Sequence, residues 1–261
     1  MSPAHLLAGL FALSASQSRV AMSTFWEQWL AADGYDRLDP LSSVEYLIGC
    51  QRRFSSMLDK GIPDAFYSRS DLRMLLDSAR DAAKDKLLEL CSELECTPGS
   101  MERQVLHAAA ALRISPANAA QLVRDYHRET VEFVDGTTTS PLHVASGAVG
   151  AEHAERVRVF LDAFPTTKQQ TDNRGLPPLH NSLLSSARLN VVKMLVDAWP
   201  LSVRLPMPST YRDRLNSREL IGLEGLTPSQ LAACCSAELD VIFFLCRYDP
   251  DSLLCAQTRA N

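Results

Sequence analysis

Apolar residues recur every three or four positions through residues 24–98, and this spacing predicts helices. The clearest helix runs from Leu72 to Leu94, and its outer face mixes acidic and basic residues, as solvated helix faces with ion pairs one turn apart commonly do. Trp26 and Trp29 stand at helical spacing and are interpreted as core residues rather than as a platform for a ligand. The region is predicted to be helical but irregular, and its pattern indicates no chemistry.

From about residue 101 a short apolar pattern occurs four times. His107, His143 and His180 occupy the same place in the first three copies and stand 36 and 37 residues apart. Gln230 takes that place in the fourth copy, 50 residues after the third. Self-similarity at such a period is the signature of a helical repeat. The four segments are residues 105–109, 141–145, 178–182 and 227–233.

A second apolar helix is predicted after each segment, and three of these helices share the same kind of stop. Proline cannot continue a helix, and it pushes the residue before it out of the helical conformation, so the stop recurs at one place in the unit. One unit is therefore a helix, a turn, a second helix, a stop and a loop, in roughly 33 to 37 residues. The stops are Phe164 before Pro165, Trp199 before Pro200, and Tyr248 two residues before Pro250.

Residues 105–254 resemble ankyrin repeats, whose signature is Thr-Pro-Leu-His-x-Ala. The third copy also keeps the Asp-x-x-Gly that precedes the signature, at Asp172 and Gly175. Glycine suits a turn position with positive φ, serine or threonine can cap a helix, and proline at the first helical position loses no donor. In this family the signature histidine ties one repeat's turn to its neighbour by hydrogen bonds, so the resemblance implies structural roles. The structural residues are His107, His143, His180, Pro141, Pro178, Thr227, Pro228 and Gly175.

Four departures from the family pattern accompany the resemblance. The first copy lacks Thr-Pro and is interpreted as a degenerate cap, on which the helix 72–94 is expected to pack. The second copy has about three extra residues between its helices, within 148–155. The fourth copy has lost its histidine, and a long loop, 205–224, precedes it.

The sequence therefore predicts an all-α protein in which an ankyrin-type solenoid, residues 99–261, follows an irregular helical region, 24–98, and a leader, 1–23. The resemblance implies that the stack binds another protein through its hairpin tips and the exposed positions of its first helices, which form a concave face. The favoured function is that of an adaptor or scaffold without turnover. The partner-binding positions are Gly136, Thr137, Thr139, Asn173, Arg174, Leu176, Leu184, Ser185, Leu223, Glu224, Leu226, Cys234 and Cys235.

Charge and composition narrow the partners further. The formal net charge of −5 and the absence of Lys or Arg runs argue against a general grip on nucleic acid or on an anionic membrane. The seven cysteines are odd in number and form no CxxC, so we interpret them as reduced thiols of a cytoplasmic or nuclear protein. His143 and His153 lack a third metal ligand, and no Gly-x-Ser-x-Gly or phosphate-binding loop occurs. We expect no metal, no cofactor and no enzymatic activity.

Three alternatives stay open. Residues 1–18 contain an apolar run of signal-peptide length without a preceding basic residue, so the segment is either an unstructured leader or a targeting peptide of an exported protein. It is too short to span a bilayer. An enzyme whose chemistry lies in residues 24–98, with the repeats selecting its substrate, is the second alternative. Self-association through the apolar carboxy-terminal helices is the third.

Overall fold

The computed structural model describes residue 26 and residues 40–60, 68–94, 104–126, 139–208 and 223–252. All regular secondary structure in these residues is helical, which confirms the all-α prediction. The chain divides into two compact units, residues 1–108 and 109–261. The division falls inside α3, ten residues after the boundary predicted at 98. The helices are α1 (Pro40–Lys60), α2 (Arg69–Glu93), α3 (Val105–Ala111), α4 (Pro116–Tyr126), α5 (Pro141–Gly147), α6 (His153–Ala163), α7 (Pro178–Leu184), α8 (Leu189–Ala198), α9 (Pro228–Cys234) and α10 (Leu239–Tyr248).

In the first unit α1 and α2 pack against each other through their apolar faces. Ser68 is the N-cap of α2: its hydroxyl accepts from the Asp71 backbone N–H, and the Asp71 carboxylate accepts from the Ser68 N–H. Trp26 is buried, donates its indole N–H to the Ser78 hydroxyl at 2.8 Å, and lies against the Phe54 ring. The interpretation of Trp26 as a core residue is therefore confirmed.

In the second unit the helices pack in two rows. The first helices contact one another in the order α5, α7, α9, and the second helices in the order α4, α6, α8, α10. Each first helix also contacts the second helix that follows it, as in α5–α6, α7–α8 and α9–α10. The first helices have seven residues each, too few to be stable alone in water, so contacts between pairs must hold them. Leu142, Leu179 and Leu231 supply these contacts, each buried and worth about 2 kcal/mol relative to exposure.

The turns inside three helix pairs share one backbone conformation. Arg113, Ser186 and Ser236 are left-handed, with φ of 60°, 53° and 54°. In each turn the following N–H reaches back to a carbonyl five residues earlier, which closes the end of the first helix. These bonds are Ile114 to Ala109 at 3.2 Å, Ala187 to Ser182 at 2.9 Å, and Ala237 to Ala232 at 3.0 Å.

The stops after the second helices also repeat in atomic detail. Phe164, Trp199 and Asp249 end α6, α8 and α10 with similar backbone angles, and a proline follows each of them. Three residues after the stop, a hydroxyl donates to its carbonyl: Thr167 to Phe164 at 2.7 Å, Ser202 to Trp199 at 2.6 Å, and Ser252 to Asp249 at 2.7 Å. The residue equivalent to Phe164 and Trp199 is thus Asp249, whereas the predicted aromatic stop, Tyr248, is the last residue of α10.

The longer turn of the second pair, between α5 and α6, is held by a buried arginine. Arg156 is 1% exposed and donates to the carbonyls of Ala148 and Ala151 at 3.1 and 3.0 Å. The His153 ring also contacts the Ala145 carbonyl at 3.0 Å. Burial, followed by the charge of Arg113, lowers the pKa of the Arg156 guanidinium. The extra residues predicted at 148–155 therefore have their own internal support.

Candidate partner-binding surface

The surface predicted to bind a partner rests on hydrogen bonds made at the start of α5, α7 and α9. In α5 the His143 Nδ1 accepts from the backbone N–H of Ser140, the N-cap residue, at 3.1 Å. The opposite ring nitrogen, Nε2, donates to the Gln170 carbonyl, 27 residues further along, at 3.0 Å. One imidazole therefore joins the start of its own helix to the loop that precedes the next helix pair.

In the next pair only the bond to the following loop is kept, whereas the pair after it has both bonds. The Nε2 of His180 donates to the Leu205 carbonyl at 3.0 Å, while its N-cap residue is Pro177, which has no N–H to offer. In α9 the bridge is an amide: the Gln230 Oε1 accepts from the Thr227 N–H at 3.0 Å. The Gln230 Nε2 donates to the Ser252 carbonyl at 3.3 Å. The fourth copy thus keeps the bridge without the histidine.

The bridging histidines are neutral at ordinary pH. Burial is the main cause that lowers the pKa of His143 to about 4, and it does the same for His180. In His143 the Nδ1 already faces the Ser140 N–H, so a proton on that nitrogen would oppose a donor. The bonds of both rings go to backbone groups, so these histidines connect parts of the stack.

The tip that leads into α7 is organised by the buried carboxylate of Asp172. It accepts from the backbone N–H groups of Arg174 and Leu176 at 2.8 and 2.9 Å, and from the Asn181 amide at 3.2 Å. The Arg174 guanidinium closes the network, bonding Asp172 at 2.8 Å and the Asn181 Oδ1 at 2.6 Å. Gly175 completes the turn with φ of 81°, a conformation that favours glycine.

This network neutralises the charge at the tip. Burial raises the pKa of Asp172, but the charge of Arg174 and hydrogen bonds from the tip outweigh it, so the pKa falls below its ordinary value. Asp172 is therefore ionised and paired with Arg174, whose side chain is 37% exposed. A partner would meet a rigid polar turn with little net charge.

Neighbouring tips are linked directly. The Asn173 backbone N–H donates to the Thr139 hydroxyl at 3.1 Å, which joins the tip before α7 to the residue before the α5 N-cap. The predicted contact residues Gly136 and Thr137 lie outside the described residues. Because Thr139 is itself buried, it supports the next tip rather than facing a partner.

The tip before α9 is closed by the same kind of backbone hydrogen bond as the tip before α7, but more residues lie between the bonded pair. The Met207 N–H donates to the Leu226 carbonyl at 2.9 Å, as the Asp172 N–H does to the Leu176 carbonyl at 2.8 Å. Gly225 has φ of 68° and donates to the Met207 carbonyl. The chain between the paired residues is 15 residues longer here than in the preceding tip. The insertion foreseen within 205–224 is therefore placed at a hairpin tip.

The structure sorts the predicted contact positions by exposure. Leu176 is 0% exposed and packs in the interior, so the prediction that it contacts a partner is wrong: the tip turns its side chain inward. Cys234, at the end of α9, is exposed. The remaining positions are half-buried, and they are Asn173, Arg174, Leu184, Ser185, Leu223, Glu224, Leu226 and Cys235.

Sequence reasoning missed three features of this surface. Gln230 was interpreted as a lost histidine, because the sequence does not show that its amide makes two hydrogen bonds. Arg156 gave no signal either, since a buried arginine and an exposed one look alike in a helix pattern. The Ser186 hydroxyl donates to the Cys235 carbonyl at 3.1 Å and joins the far ends of α7 and α9. Only the repeated spacing could have suggested that contact.

Other kinds of site find little support in the described part of the chain. It contains no group of three or more His, Cys, Asp and Glu residues that could hold a metal ion. No helix among the residues with a described position is long and apolar enough to cross a membrane. The five cysteines placed within the described ranges are free thiols. Comparison with family models, with curated proteins and with solved structures found no match.

Proposed function

We propose that residues 99–261 form an ankyrin-like stack whose function is to bind another protein, as an adaptor or scaffold without turnover. The observation that carries the proposal is the series of bridges made by His143, His180 and Gln230. Each ties the start of a first helix to the segment that follows the second helix of the same pair. A chain that fixes the bases of its tips in this way presents them as a rigid row, and repeat proteins use such rows for recognition.

The surface chemistry favours a partner recognised by shape and hydrogen bonds. Arg174 is paired with Asp172, and the ends of the first helices carry the half-buried Leu184 and Ser185 and the exposed Cys234, none of them charged. Preformed turns lose little conformational entropy on binding, which supports affinity without strong charge. We therefore expect the binding of the partner to depend only weakly on salt.

Photo-crosslinking along the chain tests this assignment. A genetically encoded crosslinker would replace Leu184, Glu224 or Cys234 in the full chain, with matched controls at Arg158 and Asp197, which are exposed on second helices. We expect one protein from the native lysate to be trapped from the first three positions and not from the two controls. Trapping with equal yield from the controls, in variants with unchanged helical signal, would overturn the tip and first-helix assignment.

Arg174 is a poor probe for this purpose, although it lies at a tip. Arg174→Glu would put a second carboxylate beside the buried Asp172 and would leave the Asn181 amide oxygen without its donor. Loss of a partner in that variant would report local unfolding as readily as lost contact. Leu184 allows a cleaner test because its side chain has no hydrogen-bonding group to lose.

A further inference from the structure

The outward face of α10, the last helix described, is apolar and open. Leu239 and Phe243 stand one turn apart and are 70% and 71% exposed. Ile242 and Cys246 border them and are half-buried. Side chains this large and apolar are seldom grouped on a solvated helix face unless something covers them.

Comparison with α8 shows which part of this surface another helix can cover. Asp240, Phe243 and Arg247 match Asn190, Lys193 and Asp197, which are exposed on α8 as well. The flank beside them differs. Val192 and Val196 of α8 are fully buried, and α10 packs on α8. The same positions in α10 are Ile242 and Cys246, which are only half-buried. The first helices agree: Leu183 of α7 is fully buried, whereas its equivalent in α9, Ala233, is exposed. Among the residues that the structure describes, α10 therefore lacks the covering that α6 and α8 receive from the helix after them.

The charges on this face are arranged for self-recognition. Asp240, Phe243 and Arg247 are all exposed and share one side of the helix, with the acid before the phenylalanine and the base after it. If two copies of α10 lie antiparallel about a two-fold axis near Phe243, Asp240 of each copy comes opposite Arg247 of the other. Both ion pairs then form at once, because an isologous interface repeats every contact.

We propose that this face of α9 and α10 binds a second copy of the chain, with Phe243 at the centre and Asp240 paired with Arg247 across the axis. The apolar centre supplies the association, and the charges set the antiparallel orientation. The proposal goes beyond partner binding at the tips and does not depend on it, since its centre is Asp240, Phe243 and Arg247 of α10, which the tip assignment leaves aside.

The test is sedimentation equilibrium of the full chain over a wide range of concentrations. We expect a monomer–dimer equilibrium. The association constant should be lower for Asp240→Arg and for Arg247→Asp, because each variant places two pairs of like charges across the axis. The dissociation constant should rise at least about tenfold in each single variant. An equimolar mixture of the two variants should dimerise like the parent, because both cross-axis pairs are then opposite in charge. The double variant should also recover.

The mixing result separates a second copy from other occupants. A segment of the same chain, or an unrelated protein, cannot restore association when two different variants are combined. Phe243→Asp gives an independent check: it should leave the helical signal unchanged and abolish the dimer. A parent that is monomeric at all concentrations overturns the proposal, and so does a dimer that is unaffected by either charge variant. Neither outcome would bear on crosslinking at the tips.

Discussion

At the scale of single residues, the bridges in α5 and α9 use an acceptor on one side and a donor on the other, and they do not need an imidazole. His143 meets this need through two ring nitrogens, and Gln230 meets it through its amide oxygen and nitrogen. The difference between them is titration, because only the histidine can gain a proton as the pH falls. The choice of residue at each bridge therefore sets how that bridge responds to acid.

We predict that His180→Gln makes the stability of the protein less sensitive to acid. The pKa of His180 is lowered by burial from its ordinary value of 6.5 to about 4, so the unfolded chain binds the proton more tightly. The stabilisation is complete above pH 6.5 and declines as the pH falls toward 4. Between pH 7 and 5 the contribution of this histidine should lower the free energy of unfolding by about 2 kcal/mol. The glutamine variant should not show that loss.

Urea unfolding at pH 7 and pH 5 measures this difference, and Gln230→His is the matched control. The control places an imidazole beside the Thr227 N–H and should add pH dependence where His180→Gln removes it. If the two variants and the parent lose equal stability between pH 7 and 5, the bridging histidines do not govern the acid response. Asp172 does not confuse the comparison, since its lowered pKa places its own effect below this window.

At the scale of elements, four turns place a residue with a side chain in the left-handed region, where glycine is more stable; the residues are Arg113, Glu152, Ser186 and Ser236. We predict that Ser236→Gly raises the free energy of unfolding by about 0.5–1 kcal/mol, because the left-handed conformation strains any residue with a Cβ. Ser236→Ala keeps that strain and should be nearly neutral. Gly225→Ala introduces the same strain at φ of 68° and should destabilise.

Urea unfolding of these three variants at one pH is the measurement. Because Ser236 is exposed, the glycine and alanine variants differ in backbone freedom and hardly in packing. A glycine variant less stable than the alanine variant would show that the turn is not held in the left-handed region in solution.

The sequence supported the prediction of some elements and hid others, for physical reasons. Proline marks the end of each of these helices because it has no backbone N–H to donate. The ends of α6 and α8 could therefore be predicted within a residue. The left-handed turns could not, because Arg113, Ser186 and Ser236 give no signal of positive φ. Burial at a tip was equally hidden: Leu176 follows the glycine at a position that the pattern assigns to the surface, and only packing turns it inward.

At the scale of the whole molecule, helix content and the helix–turn–helix rhythm could be predicted from periodicity, whereas the order of packing depends on contacts between distant residues. The 50-residue gap before Gln230 showed that extra chain is present. Only the bond between Met207 and Leu226 shows that it enters at a tip and leaves the helix rows uninterrupted. The division of the chain inside α3 had no sequence signal at all.

We predict that residues 209–222 can be replaced by two residues without loss of the fold. The paired ends are already as close as those of the preceding tip, so no helix has to move. A shorter loop costs less entropy to close, and the free energy of unfolding should rise by about 1 kcal/mol. Circular dichroism and urea unfolding check this, with the same two residues inserted into the parent loop as a control. A variant with less helical signal than the parent would contradict the prediction.

The pairing of Met207 with Leu226 also shows where this chain can be interrupted. A protease cut between them would not release the carboxy-terminal piece, because α9 and α10 still pack on α7 and α8. Two separately produced fragments could then reassemble into one folded body. A foreign domain or a fluorescent reporter inserted at the same point would lie outside the helix rows. This tip is therefore a suitable site for adding a second activity to the protein.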